Sequence, residues 1–459
     1  MSDEVSLDGP AVFSLAEGFD VGAEGGRLVR LREADGIADY RLEPEGNNNV
    51  VLRYGGRVAG EGADIFGMPR AVVDGKGVFL DASSAWYPLF RVSAVTYDME
   101  VVLPDDWELV GQGVLARLGN GRFRVEARTP QEDIYLVAGP FTVYERTTHR
   151  LPLSVYLLQP DEALASRYLD AMGAYLDFYA ALIGPYPHHG FAVVENRWQT
   201  GYGMPGFTLL GSRVLRLPFL LKTSLPHEIL HNWFGNGIYI DPVAGNWSEG
   251  LTAYLADYLV KEADGDGAQH RQRSLARYAD FASGGRDVPV AEFRSRHNDA
   301  SQSVGYDKVL LVMHMLRHRI GDEAFVAGLR RFWESQRFQR ADFRDLLRAF
   351  DSAGWDPEGF YDAWVARPGA PALTITRADA PEREGGYELV LGLAQAQQEA
   401  PYPMRVPVYV MLEGEPEARR LDVTLTGRDA TVRMDIAQRP LRVDVDPAFE
   451  TFRRLSELE

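Results

Sequence analysis

The 459-residue chain, with 46% hydrophobic and 25% charged side chains, is long enough for roughly two to four domains with cores of their own, which excludes extended disorder. Its 66 acidic residues against 48 basic ones leave a net charge of −18, a field that repels phosphate backbones and anionic lipid, so nucleic acid is excluded as a partner. There is no cysteine, which excludes disulfides, thiolate metal sites and cysteine nucleophiles; any bound metal rests on His, Asp and Glu.

The start, Met1 through Pro10, is acidic and polar where a signal peptide would be basic and then apolar. The chain as it stands therefore reads as cytoplasmic, and as periplasmic or extracellular if a leader has been removed. There is no run of about 18 apolar residues, so no membrane span is expected. Residues 1–150 alternate in short segments broken by Gly, Pro, Asn and Asp, among them Val92 to Tyr97, Met99 to Leu103, Phe123 to Ala127 and Tyr135 to Ala138. That pattern predicts an N-terminal antiparallel β domain. A further strand, Leu151 to Leu158, leads through Pro160 and Asp161 into a helix, where Leu164, Tyr168, Met172, Tyr175, Tyr179 and Leu182 recur at three- and four-residue spacing before Gly184 and Pro185.

Helical periodicity then runs to Trp364, interrupted by a strand at Phe191 to Glu195, and ends at Arg367, Pro368 and Gly369. Strands return at Leu373 to Thr376, Tyr387 to Leu391, Val406 to Met411, Leu421 to Leu425 and Leu441 to Val445, which predicts a C-terminal β-sandwich. The expected division is 1–150, 151–370 and 371–459, in a multidomain α+β chain with a mainly helical middle part.

Within that middle part stands His227, Glu228, Ile229, Leu230, His231. On a helix, residues four apart share a face, so His227 and His231 can bind one ion while Glu228, one step round, reaches a water beside it. Ser224 is an expected N-cap, Pro226 falls where the first turn needs no N–H, and Gly235 is an expected stop. Downstream, Ser248 is placed to cap a helix with an apolar face through Leu251, Tyr254, Leu255, Tyr258 and Leu259. Glu249 then sits in the first turn, either as a third ligand or simply as a complement to the helix dipole.

The strings HEILHNWFGN and NWSEGLTAYLADYL resemble the aminopeptidase N family of zinc metallopeptidases, gluzincins with an HExxH motif and a later glutamate ligand. The resemblance implies a thermolysin-like catalytic domain and one Zn2+ per chain, held by His227, His231 and Glu249. It also implies Glu228 as the base that activates water, and peptides as substrates. Seventeen residues stand between His231 and Glu249, one fewer than is usual in that family. Val304, Gly305, Tyr306, Asp307, Lys308 is similar to the family's Tyr-x-Lys segment, which gives Tyr306 the role of oxyanion donor. The chain ends before a helical domain of the kind many members carry, so a short form with a more open cleft is expected.

One family element departs. Where members read Gly-x-Met-Glu-Asn, with the Glu binding the substrate's ammonium, this chain reads Tyr202, Gly203, Met204, Pro205, Gly206. Tyr202, Gly203 and Met204 are the expected substrate-binding stretch, Pro205 replaces the acidic anchor, and Glu195 just upstream is the candidate replacement. The expected activity is an aminopeptidase-like zinc peptidase with altered amino-terminus recognition. An endo- or oligopeptidase and a non-catalytic peptide-binding scaffold are the rival readings. His188, His189, His314 and His318 are expected to be structural or surface residues, and oligomeric state is not readable.

Overall fold

The computed structural model describes residues 1–46, 48–58, 71–92, 94–148, 151–198, 201–282 and 286–455. The chain divides into two compact units: Met1–Tyr175 with Pro187–Leu221, and Leu176–Tyr186 with Lys222–Glu459.

The first unit is built from strands whose side chains alternate between core and solvent. Val95–Val102 is one such strand where the sequence suggested two, with residue 93 outside the described set. Asp98 does not break it because it lies on the exposed face, paired with Arg124 of the neighbouring strand Arg122–Gln131, which buries Phe123, Val125 and Ala127. The strands before residue 150 pair antiparallel, as expected.

The unit runs on past residue 150 for a packing reason. Leu151–Leu157 pairs antiparallel with Thr142–Thr148 and parallel with Phe191–Asn196, which pairs parallel with Phe207–Gly211. The parallel step uses the helix Glu162–Leu182 as its crossover, its start capped by Asp161 accepting from the Leu164 N–H at 2.9 Å. One core joins Phe79, Val110 and Val137 to Tyr156, Val194, Phe207 and Leu209, so strands placed by the sequence in the middle part fold with the N-terminal ones.

The second unit holds the remaining helices and the C-terminal strands. The C-terminal strands form two sheets: Leu373–Asp379, Gly386–Gln395 and Asp429–Ile436 with the short Glu382–Arg383, and Met404–Leu412 between Arg419–Leu425 and Pro440–Val445. Leu389, Leu391, Leu393, Val406, Val408, Val410, Val423 and Leu425 are buried, giving the expected sandwich its core.

Candidate metal centre

The helix Ser224–Leu230 buries Leu225, Pro226, Ile229 and Leu230, which turns His227, Glu228 and His231 away from the core. Its end is set by the residues after His231. Asn232, fully buried, donates from Nδ2 to the carbonyls of Glu228 and Ile229 at 3.2 and 3.0 Å and accepts from the Tyr186 hydroxyl at 3.0 Å. Trp233 donates from Nε1 to the Gly184 carbonyl at 3.0 Å, and Gly235 takes a φ of 118° that a side chain would resist. The start differs from expectation: Ser224 is the first helical residue, and Thr223 stands at the N-cap position.

The second ligand turn begins at Trp247, whose Nε1 donates to the Ala341 carbonyl at 2.8 Å and whose ring packs on Phe234 and Phe332. The cap is Asn246, where Ser248 was expected: its Oδ1 accepts from the N–H groups of Ser248 and Glu249 at 3.1 and 3.3 Å. Ser248 instead donates from Oγ to the Phe234 carbonyl, which also lies 3.0 Å from His231 Nδ1. The two ligand segments are thus tied to each other.

These contacts bring His227, His231 and Glu249 together. Glu249 Oε2 lies 3.5 Å from His227 Nε2 and 3.4 Å from His231 Nε2, and the three donor atoms fall within 4.8 Å of one another. Zinc–ligand distances of ~2.0–2.1 Å imply tetrahedral edges of about 3.3–3.4 Å, which the two Glu249–imidazole distances match, and two imidazoles with one carboxylate are a donor set that suits zinc and would leave a fourth position for water. No other such group occurs among the described residues. His314 packs against Tyr254, its Nδ1 3.3 Å from the hydroxyl, and His318 faces Glu450; His188 is buried and His189 exposed.

Electrostatics match the arrangement. Burial raises the Glu228 pKa; the two imidazoles oppose the rise, and Glu249 and Asp257 add to it. For His227, burial disfavours the protonated form, yet Asp257, Glu249 and Glu228 outweigh it and raise the pKa. Tyr306 lies beside the ligands, its ring 6.4 Å from that of His227 and 6.0 Å from that of Phe293. Burial and the hydrogen bond to Glu249 keep its phenol protonated.

Two glycines make this proximity possible. A Cβ on Gly250 would stand 2.2 Å from Val309 Cβ, and one on Gly305 would stand 2.3 Å from the Phe293 ring. Gly250 lets the helical stretch 248–263 approach the stretch 299–320 at Val309 and the Gly305 carbonyl, while Gly305 makes room for Phe293 beside Tyr306. Each stretch contains a π turn, Ala253–Tyr258 and Ser303–Lys308.

The first π turn explains a residue that the sequence reading missed. Asp257 Oδ2 is 3.2 Å from His227 Nδ1, where it fixes the tautomer that leaves Nε2 to face a metal. In a regular helix position i+7 shares a face with i. The one-residue register shift of a π turn moves that face to i+8, which is Asp257 counted from Glu249. Asp257→Asn is expected to weaken zinc binding by about 10- to 100-fold at high pH. The loss should narrow as pH falls, because Asp257 also stabilises the imidazolium that competes with the metal. Zinc titrations at several pH values decide it; a loss that widens toward low pH would contradict this role.

The expected substrate-binding residues lie in the first unit. Gly201–Met204 pairs with Phe207–Gly211, and Met204 meets Phe207 across Pro205-Gly206, with Gly206 at φ 82° as a type II turn requires. Tyr202 and Gly203 are half-buried and Met204 is buried. Glu195, the candidate replacement anchor, is held inside the first unit. It is 3% exposed, accepts from Arg216 Nη1 at 2.6 Å and from the Leu158 N–H at 2.9 Å, so both oxygens are engaged within the fold.

Comparison with known proteins agrees with this geometry: residues 221–364 match the peptidase family M1 domain. The match takes in His227, Glu228, His231, Glu249 and Tyr306. Among curated relatives, the alanine/arginine aminopeptidase of Saccharomyces cerevisiae is 24% identical over 302 residues, 58% of this chain and 35% of that protein. Aminopeptidase N of Lactococcus lactis is 28% identical over 163 residues, 33% of this chain and 19% of its own length. The matches thus span about a third or less of these relatives. An M1 zinc metallopeptidase of Deinococcus radiodurans superposes with a TM-score of 0.62 at 18% identity, covering 81% of this chain and 90% of that one. Aminopeptidase A of Legionella pneumophila gives 0.71 at 16% identity, covering 98% and 56%. Both share the fold of this chain.

Proposed function

We propose that this chain is a zinc-dependent peptidase of aminopeptidase type that recognises the substrate's amino terminus differently from aminopeptidase N. The observation that carries the reading is the convergence of His227, His231 and Glu249, with Tyr306 beside His227 and hydrogen-bonded to Glu249 and with Glu228 in electrostatic contact with all three donors. A zinc ion held by His227, His231 and Glu249 would supply Lewis-acid polarisation of a carbonyl and a lowered pKa for water. Glu228, its pKa raised by burial, takes the proton of the attacking water and delivers it to the leaving amine. Tyr306, kept protonated, donates a hydrogen bond to the developing oxyanion. The alanine/arginine aminopeptidase and aminopeptidase N relatives support peptides as the substrate class. No helix among the described residues is long and apolar enough to cross a membrane.

The altered recognition rests on two observations in the first unit. Pro205 occupies a turn position with no charge to offer, and the Glu195 carboxylate is committed to Arg216 and Leu158. A charge-assisted hydrogen bond contributes roughly 1.5–3 kcal/mol, so its absence removes most discrimination between a free amine and a blocked one. Matched free and N-acetylated peptides are expected to be cut at rates within about tenfold of each other, under ~1.4 kcal/mol. Mass-spectrometric profiling of a mixed peptide library reads both rate and cleavage end. A strong preference for free amines would overturn the altered recognition, and no cleavage by zinc-loaded protein would overturn the peptidase reading.

A further inference from the structure

The π turn Ser303–Lys308 carries Tyr306 on one side and an anchored, buried ammonium on the other. Lys308 is 1% exposed; its Nζ lies 3.5 Å from Asp287 Oδ2 and donates to the carbonyls of Arg367 and Gly369 at 3.3 and 3.2 Å. The rings of Tyr278 and Phe452 stand 5.9 and 5.5 Å from it. Asp287 also accepts from the Tyr278 hydroxyl and the Gly369 N–H. One carboxylate and one ammonium therefore join three stretches of chain: the π turn, the segment around 287 and the linker at 367–369.

Adjacent contacts hold the same turn. The buried Asp307 pairs with Arg277, and Ser303 Oγ donates to the Arg277 carbonyl at 3.3 Å. The linker itself is fastened to the β-sandwich: Tyr402 donates from its hydroxyl to the Pro368 carbonyl at 2.9 Å, and Arg367 donates to the carbonyls of Ala400 and Pro401. Residues two apart in a helical turn point to nearly opposite sides. With Tyr306 toward the metal ligands, Lys308 reaches the linker behind it. A buried ion pair adds little net stability over an apolar pair of the same shape, so its contribution here is geometric. π turns are rare and recur at functional sites, and this one is anchored at its back by the Lys308 contacts.

We propose that Lys308, through Asp287 and the linker carbonyls, is a positioning residue for Tyr306, so that the linker into the C-terminal β-sandwich fixes the phenol at the metal centre. This rests on the peptidase reading for its kinetic consequence, though not for the placement of the ring.

The test uses the zinc-loaded full chain with Lys308→Met, Tyr306→Phe and the double variant. Lys308→Met should lower kcat at least about tenfold with KM within about threefold and zinc content unchanged. In the Tyr306→Phe background the same change should cost less than about twofold, because the group it positions is already gone. Asp287→Asn should reproduce the pattern and decides the matter if Lys308→Met does not fold. In fluorotyrosine-labelled protein, the 19F resonance missing from Tyr306→Phe should shift or broaden in the Lys308 and Asp287 variants. A purely structural anchor predicts a lowered Tm with kcat retained, or losses that multiply in the double variant, and either result overturns the proposal, as does an unmoved Tyr306 resonance. If the wild type cuts no peptide while that resonance responds, the peptidase reading fails and the positioning stands.

Discussion

Glu228→Gln is expected to leave zinc bound and to lower turnover at least about a hundredfold. The substitution keeps the size and planar shape of the side chain, and Glu228 is not among the three converging donor residues. What it removes is basicity. Burial raises the Glu228 pKa, which brings the carboxylate closer to neutrality, where a base takes a proton from water and still releases it to an amine. The amide cannot do either. Zinc content by plasma emission and kcat on the best library peptide settle the matter together. Wild-type turnover in the variant would assign water activation to another group, whereas loss of zinc would show that Glu228 has a part in holding the metal.

The positions where the sequence spoke clearly are those where local geometry decides. His227 and His231 are four apart on an α-helix, a spacing that the helix itself converts into a shared face. Tyr306 was found only through resemblance, since its approach to Glu249 depends on the crossing at Gly250 and Gly305, two contacts that no window of sequence displays. Asp257 was missed because a π turn shifts the count by one, so a period of 3.6 points to the wrong residue. Ser248 and Asn246 exchange roles because Ser248 has a better partner in the Phe234 carbonyl, which approaches from another turn.

Glu195 has partners that lie far from it in sequence. Read along the chain, it ends an apolar run, as a solvated or functional carboxylate would. Its partners, Arg216 and Leu158, stand 21 and 37 residues away, and only the mixed sheet brings them to it. The same sheet moves the boundary of the first unit past residue 150. Alternation revealed the strands there but not which neighbours they would take, because a parallel pair depends on a crossover helix and not on a turn. The strand Asp429–Ile436 does alternate, with Ala430, Val432, Met434 and Ile436 on one face, so its absence from the expected strands has no physical cause in the segment itself.

Glu249→Ala is expected to lower zinc affinity by more than the ~10- to 100-fold typical of an outer partner, because it removes one of only three protein donors. It does a second thing. Glu249 is the acid that raises the His231 pKa against the effect of burial, and it joins Asp257 in doing so for His227. Its loss lowers the proton competition at both imidazoles, so part of the affinity returns toward low pH, but two neutral imidazoles cannot replace a third donor. Gly250→Ala offers the matched control, since it keeps every donor. Its Cβ would meet Val309 Cβ at 2.2 Å and the Gly305 carbonyl oxygen at 2.6 Å, so the two helices must part, at a cost of about 1–3 kcal/mol of overpacking. Gly250→Ala should therefore lower Tm and also reduce kcat by moving Tyr306 from Glu249, with zinc affinity reduced less than in Glu249→Ala. Competition with a chelator of known affinity ranks the three proteins. Full zinc occupancy in Glu249→Ala would mean that the third donor lies elsewhere, and a Gly250→Ala protein weaker for zinc than Glu249→Ala would mean that the crossing, and not the carboxylate, holds the site together.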